Sequence, residues 1–406
     1  MFTPGERLPL EELLNRHARC RALLAKHAPS AGGILVTGTP NLYYMTGTAA
    51  NGLAWLPLEG DMVLAVRKGR ERARLESPLA SIVTFRSYKE LAGLCADAGS
   101  PLTPTLAADQ SGVSWEQGRM LLERMPERTV IPGDAVIART RAVKSEWELA
   151  KMRESCSRIN SGYARLAGRI HPGMSEYDIA RVLWDIFLSM GHTGSFPTGL
   201  HGSMITLGHI DAGESGNYPS AYDGPLGVKG AHPSSPSMGS RHAVWQKGEV
   251  LAVDSGFNFE GYISDKTQIF FAGEKKDIPA DVRKAQDTAM LIAERTAAAL
   301  KPGASPAAVY ALSLDIAKQA GYAATFMGYG ENQVRFLGHG IGLTVSEWPI
   351  FAWGFDEPLQ PGMTVALEPK IALPGIAMVG IENTYEITES GARSLTGEIA
   401  GIVCVR

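Results

Sequence analysis

Asp254, Asp265, His339, Glu368 and Glu382 have the residue types and surroundings of a metal-ligating set. They lie in apolar, glycine-punctuated segments that read VLAVDSGFNFEGYISDKTQIFF, FLGHGIGLTVSEWP, TVALEPKIALPG and MVGIENTYEIT. Burying an isolated ionised carboxylate is costly, so such groups are paired, protonated or bound to a metal. Four carboxylates and one imidazole cannot neutralise one another, and the pattern assigns no side-chain cation to them. Two divalent cations would do so. An oxygen-rich shell with one nitrogen suits Mn, Co, Fe or Zn rather than a thiolate site. Taken singly, Asp254 and Asp265 read equally as turn or ladder residues, and Glu382 as a salt-bridge partner. The five together, in this order and spacing, point to a dimetal centre.

Two hairpins would bring the carboxylates together. Asp254 and Asp265 are eleven residues apart around a turn near residues 258–261. VLAVDSGF and YISDKTQIFF are therefore expected as antiparallel strands with both acids converging. Glu368 and Glu382, fourteen apart around Pro374-Gly375, are expected on a second hairpin. His339 stands between Gly338 and Gly340, which would permit close backbone approach to something bound.

Upstream, two helical stretches, 142–170 and 174–191, are separated by His171-Pro172-Gly173. Two more, 281–300 and 305–321, are separated by Lys301-Pro302-Gly303. A helix pair followed by strands, twice over, predicts an internal pseudo-two-fold repeat. Between residues 196 and 248 lies a long Gly, Ser, Pro and His-rich stretch with His201, His209, His232 and His242. Loops of such length in compact domains are functional or disordered, and well-patterned flanks favour an ordered loop overhanging the site. Before about residue 138, strand-like runs such as GGILVTGTP, WLPLEGDMVLAVRKG and ASIVTFRSY follow an amphipathic LEELLNRHARCRALLAKH. Their alternation predicts a separate α/β domain. There Gly38-Thr39-Pro40 and Gly47 read as turns rather than as a phosphate loop.

At 406 residues two domains are expected, divided as 1–138 and 139–406. A net charge of −3 with scattered Lys and Arg excludes a nucleic-acid footprint. No run reaches the roughly 20 apolar residues of a membrane span, and the acidic start MFTPGERLPLEELL does not read as a signal peptide. Cys20, Cys95, Cys156 and Cys404 form no CxxC pair, as expected of reduced cysteines in a cytoplasmic protein.

These residues resemble the M24 metallopeptidase family, which includes methionine aminopeptidases, Xaa-Pro aminopeptidases, prolidases and the metal-free creatinases. The resemblance spans nearly the whole chain. It rests on the Asp254 to Asp265 spacing, HGIGL around His339, LEP at Glu368, IEN at Glu382, ARTRAVKSEWELAKMRES, and NLYYMTG in the creatinase-like N-terminal part. It implies a mixed α/β (α+β) fold: a creatinase-type N-terminal domain and a duplicated pita-bread catalytic domain. It also implies an Xaa-Pro aminopeptidase or dipeptidase with a homodimeric assembly and small peptide substrates. Asp254 would chelate one metal, Asp265 and Glu382 would bridge both, and His339 and Glu368 would complete the other. Glu368 resembles the family's proton shuttle. Two cations sharing a water lower its pKa toward neutrality and stabilise the oxyanion of a cleaved carbonyl. The hard shell favours Mn(II) or Co(II) before Zn(II).

One part of the pattern breaks. Seven residues after the histidine ligand the peptidases carry a second histidine; here Ser346 stands there. Serine cannot deliver a proton near pH 7 as imidazole can, and losing a positioned acid or base costs on the order of 10²–10⁴-fold in rate. The family's other substrate-facing histidine falls by count on Ser237, with His232 or His242 as substitutes and His232 preferred. Three readings follow. In the first, a peptidase draws its histidine from the loop. In the second, the metalloenzyme acts on a non-peptide, since SEWP is similar to the lyase side of the family, which includes dimethylsulfoniopropionate lyases. In the third, a metal-retaining protein binds without turnover. Trp348, Phe351, Trp353 and Phe355 read either as an apolar substrate wall or as core or dimer interface.

Overall fold

The computed structural model describes residues 2–406. The chain divides into two units, Met1–Arg141 with Leu200–Gly202, and Ala142–Gly199 with Ser203–Arg406.

The first unit is a mixed six-stranded sheet in the spatial order Ser81–Thr84, Val63–Lys68, Asn51–Pro57, Gly33–Val36, Thr105–Ala108, Thr129–Pro132. The strand-like runs form this sheet: Gly33–Val36 and Val63–Lys68 flank Asn51–Pro57 antiparallel, and Thr105–Ala108 runs parallel to Gly33–Val36. The amphipathic run forms the helix Leu10–His27, burying Leu13, Cys20 and Leu24. Gly38-Thr39-Pro40 is not a turn. It opens the helix Thr39–Thr46, with Pro40 in the first turn, where its missing N–H goes unused. Buried Asp109 fixes this start by accepting from the amides of Thr37 and Gly38 and from Asn41 Nδ2.

In the second unit each helix pair precedes a sheet. Glu146–Ala167 and Glu176–Ser189 come before a sheet ordered Val403–Val405, Tyr262–Ala272, Val250–Phe259, Gly208–Ala212. Ala280–Ala299 and Pro306–Gln319 come before one ordered Glu347–Ile350, Gly338–Gly340, Thr364–Leu367, Asn383–Thr388, Gly391–Ser394. The expected duplication is thus present, with Gly173 and Gly303 occupying the two Pro-Gly breaks at φ 94° and 88°. The helix expected from 142 begins later, at Glu146. Ser145 accepts from the Glu148 amide while Glu148 reaches back, a capping box that fixes the start.

Each helix pair buries an apolar face on its own half. Ile159, Leu166, Leu183 and Phe187 pack with Leu251, Val253 and Phe257. Val282, Ala289, Ile292 and Val309 pack with Val365, Leu367, Val379 and Ile387. The Tyr262–Ala272 strand is buried throughout although its middle, Ser264 to Gln268, is polar, so those side chains must find partners inside the fold. The long 196–248 stretch does more than overhang. It contributes Gly208–Ala212, which pairs antiparallel with Val250–Phe259. Cys20, Cys95 and Cys156 are buried thiols and Cys404 is exposed, with no disulfide among the described residues. No helix of the described residues is long and apolar enough to cross a membrane.

Candidate metal centre

The first hairpin forms as expected, with Val250–Phe259 and Tyr262–Ala272 in antiparallel register. Asp254 opposes Thr267 and Asp265 opposes Gly256. Two-residue steps along a strand preserve the face, so the two acids stand diagonally on one side of the ladder. The second hairpin, Lys370–Leu373 with Ala377–Gly380, pairs Lys370 with Gly380. Glu368 and Glu382 sit just outside its two open ends. The sheets meet where Thr267 donates its amide to the Glu382 carbonyl and its hydroxyl to Glu382 Oε2, at 3.3 and 3.1 Å. Thr384 holds the Asp265 backbone, accepting its amide and donating to its carbonyl.

His339 lies on the short strand Gly338–Gly340, between Glu347–Ile350 and Thr364–Leu367. Its two glycines admit neighbouring strands rather than a ligand. A Cβ at Gly338 would stand 2.0 Å from the Ala366 carbonyl oxygen, and one at Gly340 2.3 Å from that of Trp348. His339 Nδ1 lies 3.1 Å from the Gly340 carbonyl. Donation there leaves the Nε2 lone pair facing inward, 3.6 Å from Glu368 Oε1.

Asp265, His339 and Glu382 each offer a ligand atom within 4.8 Å of the others, and all three are buried. Glu382 Oε1 is buried with no hydrogen-bond partner, a costly arrangement unless something binds it. A hard divalent cation fits this oxygen–oxygen–nitrogen set.

The structure corrects one premise. The cluster does contain a cation: the Lys370 ammonium, 1 % exposed, lies 2.9 Å from Glu368 Oε2, 3.1 Å from Glu382 Oε2 and 3.3 Å from Asp254 Oδ2. A lysine two positions after Glu368, inside the apolar strand KIAL, was the available signal. Lysines are so rarely buried that it reads as a solvated residue.

One ammonium cannot balance four carboxylates, and Asp265, Glu368 and Glu382 are shifted accordingly. Burial, reinforced by Glu382, Asp254 and Glu368, raises Asp265 well above the usual carboxylate range. Burial pushes Glu368 up to about 7 and Glu382 to about 8 despite the opposing Lys370 charge. Burial works against the Lys370 ammonium, yet Asp254, Glu368 and Glu382 together hold its pKa well above the ordinary value. His339 is lowered by burial, partly opposed by Glu382. Additional positive charge is what this arrangement lacks.

Of the loop histidines, His232 is exposed and its Nδ1 lies 2.7 Å from Ser234 Oγ. No contact joins it to the cluster. His209 instead stands opposite Asp254 on the adjoining strand, its ring 4.8 Å from that of Tyr222 and its Nδ1 buried without a partner. The strand-forming GHIDA run escaped notice inside a loop-like composition. Ser346 is half-buried, and its carbonyl accepts from Thr344. The acidic neighbour Glu347 is bound to buried Lys144 at 3.2 Å and to the Thr344 amide at 3.0 Å. Phe351 is core and Trp353 is mostly exposed against Tyr310, so the aromatic run is no continuous wall.

A cleft of about 460 Å³ lined by Tyr222, Asp223, Arg335, Phe336 and Ile350 adjoins the cluster. Tyr222 packs on His209 and Ile350 is the register partner of His339. A larger depression, about 640 Å³, runs along the Ala280–Ala299 helix. The former volume suits a small ligand.

Residues 150–389 match the metallopeptidase family M24, and residues 16–143 the creatinase/prolidase N-terminal domain. An Xaa-Pro dipeptidase of Pyrococcus furiosus is 24 % identical over 89 % of this chain and 92 % of its own length. A probable dipeptidase PepE of Mycobacterium bovis is 30 % identical over 64 % of this chain and 60 % of its own. Among solved structures, an Xaa-Pro dipeptidase from Bacillus anthracis superposes with a TM-score of 0.79 at 22 % identity, covering 97 % of this chain and all of that one. Dipeptidase PepE from Mycobacterium ulcerans gives 0.78 at 23 %, covering 98 % and 99 %. The expected combination of creatinase-type and duplicated α/β domains is the fold these structures share.

Proposed function

The chain belongs to metallopeptidase family M24 and is a peptide hydrolase, and we propose that its reaction is metal-dependent cleavage of Xaa-Pro dipeptides. The observation that carries this reading is the buried Asp265, His339 and Glu382 set with its unpartnered Glu382 Oε1. Its likeness to an Xaa-Pro dipeptidase along almost the whole chain supplies the substrate class.

Asp265, His339 and Glu382 would hold a divalent metal, with Asp254 and Glu368 on the flank occupied by Lys370. A bound ion there would supply Lewis acidity toward a water and a carbonyl oxygen. The two-ion arrangement implied by the resemblance uses all five donors, and Lys370 sits among three of them. Glu368 is the proton carrier. Its Oε2 is held by Lys370 while its Oε1 faces inward past His339 Nε2, placing one oxygen to take a proton and return it to a leaving nitrogen. Buried donors on paired strands keep these groups fixed, so little reorganisation is needed at reaction.

Ser346 offers a hydroxyl where the peptidases carry imidazole, which predicts slow turnover. His209, not His232, is the loop imidazole beside the cluster. The cleft bounded by Tyr222, Asp223 and Arg335 is the substrate pocket of this reading, with the exposed Arg335 placed to meet a dipeptide carboxylate. Manganese before zinc rests on the hard oxygen donors. A homodimer rests on the resemblance in the N-terminal domain, and a cytoplasmic location on the unpaired cysteines. The test is direct: purified protein, stripped by chelation and reloaded with Mn(II), is offered Xaa-Pro dipeptides. Release of proline supports the proposal, and failure across a dipeptide series while a divalent ion is bound refutes it.

A further inference from the structure

The donor set is already divided between two cations, one of which is part of the chain. Lys370 Nζ has three N–H donors and three carboxylate oxygens around it, from Asp254, Glu368 and Glu382. It donates to Glu368 and Glu382, and Asp254 adds an ion pair at 3.3 Å. On the other flank lie Asp265, His339 Nε2 and the free oxygen of Glu382. Glu382 thus has its oxygens in different states: Oε2 accepts from Lys370 and Thr267, while Oε1 is buried without a hydrogen-bond partner.

The lysine is accommodated by the backbone opposite it. Lys370 pairs with Gly380 across the hairpin. A Cβ at Gly380 would lie 2.4 Å from the Pro369 carbonyl oxygen, 2.7 Å from Lys370 Cα and 2.9 Å from Lys370 Cγ. The absence of a side chain at 380 leaves the path along which the Lys370 stem reaches the cluster. The Gly380 carbonyl is in turn held at 3.1 Å by Gln286 of the Ala280–Ala299 helix.

We infer that Lys370 takes the place of a second metal ion, so that the centre holds one divalent cation on Asp265, His339 and Glu382. This rests on the metallopeptidase reading of the site and changes its stoichiometry. A second divalent ion on Asp254 and Glu368 would have to displace an ammonium from oxygens 2.9–3.3 Å away. The two positive charges would otherwise share the same carboxylates. Lys370 also holds Glu368 Oε2, which fixes the proton-carrying carboxylate without a second ion.

The experiment is metal counting on the full-length protein. Wild type and Lys370→Met are stripped, dialysed against excess Mn(II), freed of loose ion, and analysed for metal per chain by mass spectrometry and calorimetric titration. One ion per wild-type chain and two per Lys370→Met chain is the expected result. Two per wild-type chain would overturn the inference while leaving the metallopeptidase reading intact. One in both proteins would overturn it too, since Lys370 would not be what excludes the second ion. No ion in wild type would overturn both. Electron paramagnetic resonance of Mn(II)-loaded wild type keeps the question decidable if the variant fails to fold. An isolated-ion spectrum supports the inference, and an exchange-coupled pair contradicts it.

Discussion

Gly338→Ala should damage the metal centre without touching a ligand. The new Cβ would meet the Ala366 carbonyl oxygen at 2.0 Å and Leu367 Cα at 3.0 Å. Both obstacles are backbone, so no rotamer change relieves them. The strand carrying His339 must move away from Thr364–Leu367 by about 1 Å. Inserting a carbon into a packed interior costs about 1–3 kcal/mol, and the upper end applies where the obstacle cannot turn aside. Displacing a metal-supporting group typically weakens binding about 10–100-fold, and a 1 Å misplacement at a reacting centre costs about 10²-fold in rate. Urea unfolding should show the stability loss. Calorimetric Mn(II) titration of the folded variant should show the weakened Kd. A variant with wild-type unfolding midpoint and wild-type Kd would refute the claim that these strands position His339.

Further expectations concern buried charge, pH and the missing imidazole. Lys144→Met removes the buried ammonium 3.2 Å from the Glu347 carboxylate and should cost about 3–5 kcal/mol in denaturant unfolding; Lys144→Met with Glu347→Gln should recover part of it. Burial lowers His17 and His192 from 6.5 to about 4, so both are neutral in the fold, and His192 Nδ1 accepts from the Asn258 amide. Between pH 6.5 and 4 the unfolded chain then binds more protons. The contribution of each ring is present above pH 6.5 and is lost as pH falls through 4, worth about 3 kcal/mol at most per histidine. The stability difference between wild type and His192→Gln should shrink over that window; a constant difference would contradict the neutral ring. Ser346→His should raise kcat on Xaa-Pro dipeptides at least about tenfold with metal content unchanged, toward the usual contribution of a positioned acid or base; an unchanged rate would show that another group fills the role.

What was legible in the sequence was what local periodicity encodes. Strand alternation around Asp254 and Asp265, bounded by a turn, placed them on a common face, and the two Pro-Gly breaks marked the ends of the helices that finish at Ala167 and Ala299. Lys370 was illegible because its meaning lies in partners brought together by tertiary structure: Asp254 from one sheet, Glu368 and Glu382 from the borders of the other hairpin. Gly338 and Gly340 were legible as close-approach positions, but what approaches is the adjoining strands, whose registers no local pattern states. His209 was hidden for the opposite reason. Its strand is short and edge-placed in a Gly-Ser-Pro-rich stretch, and only pairing with Val250–Phe259 makes it regular. Composition alone favoured His232, which the structure places in solvent.

Hydrolysis of an Xaa-Pro dipeptide by chelator-stripped and Mn(II)-reloaded protein tests the central claim most directly, with Asp265→Asn measured in parallel. Proline release that vanishes on stripping, returns on reloading, and is absent in Asp265→Asn together with its metal is the predicted result. Undiminished release from metal-free protein, or equal metal content and rate in Asp265→Asn, would contradict it.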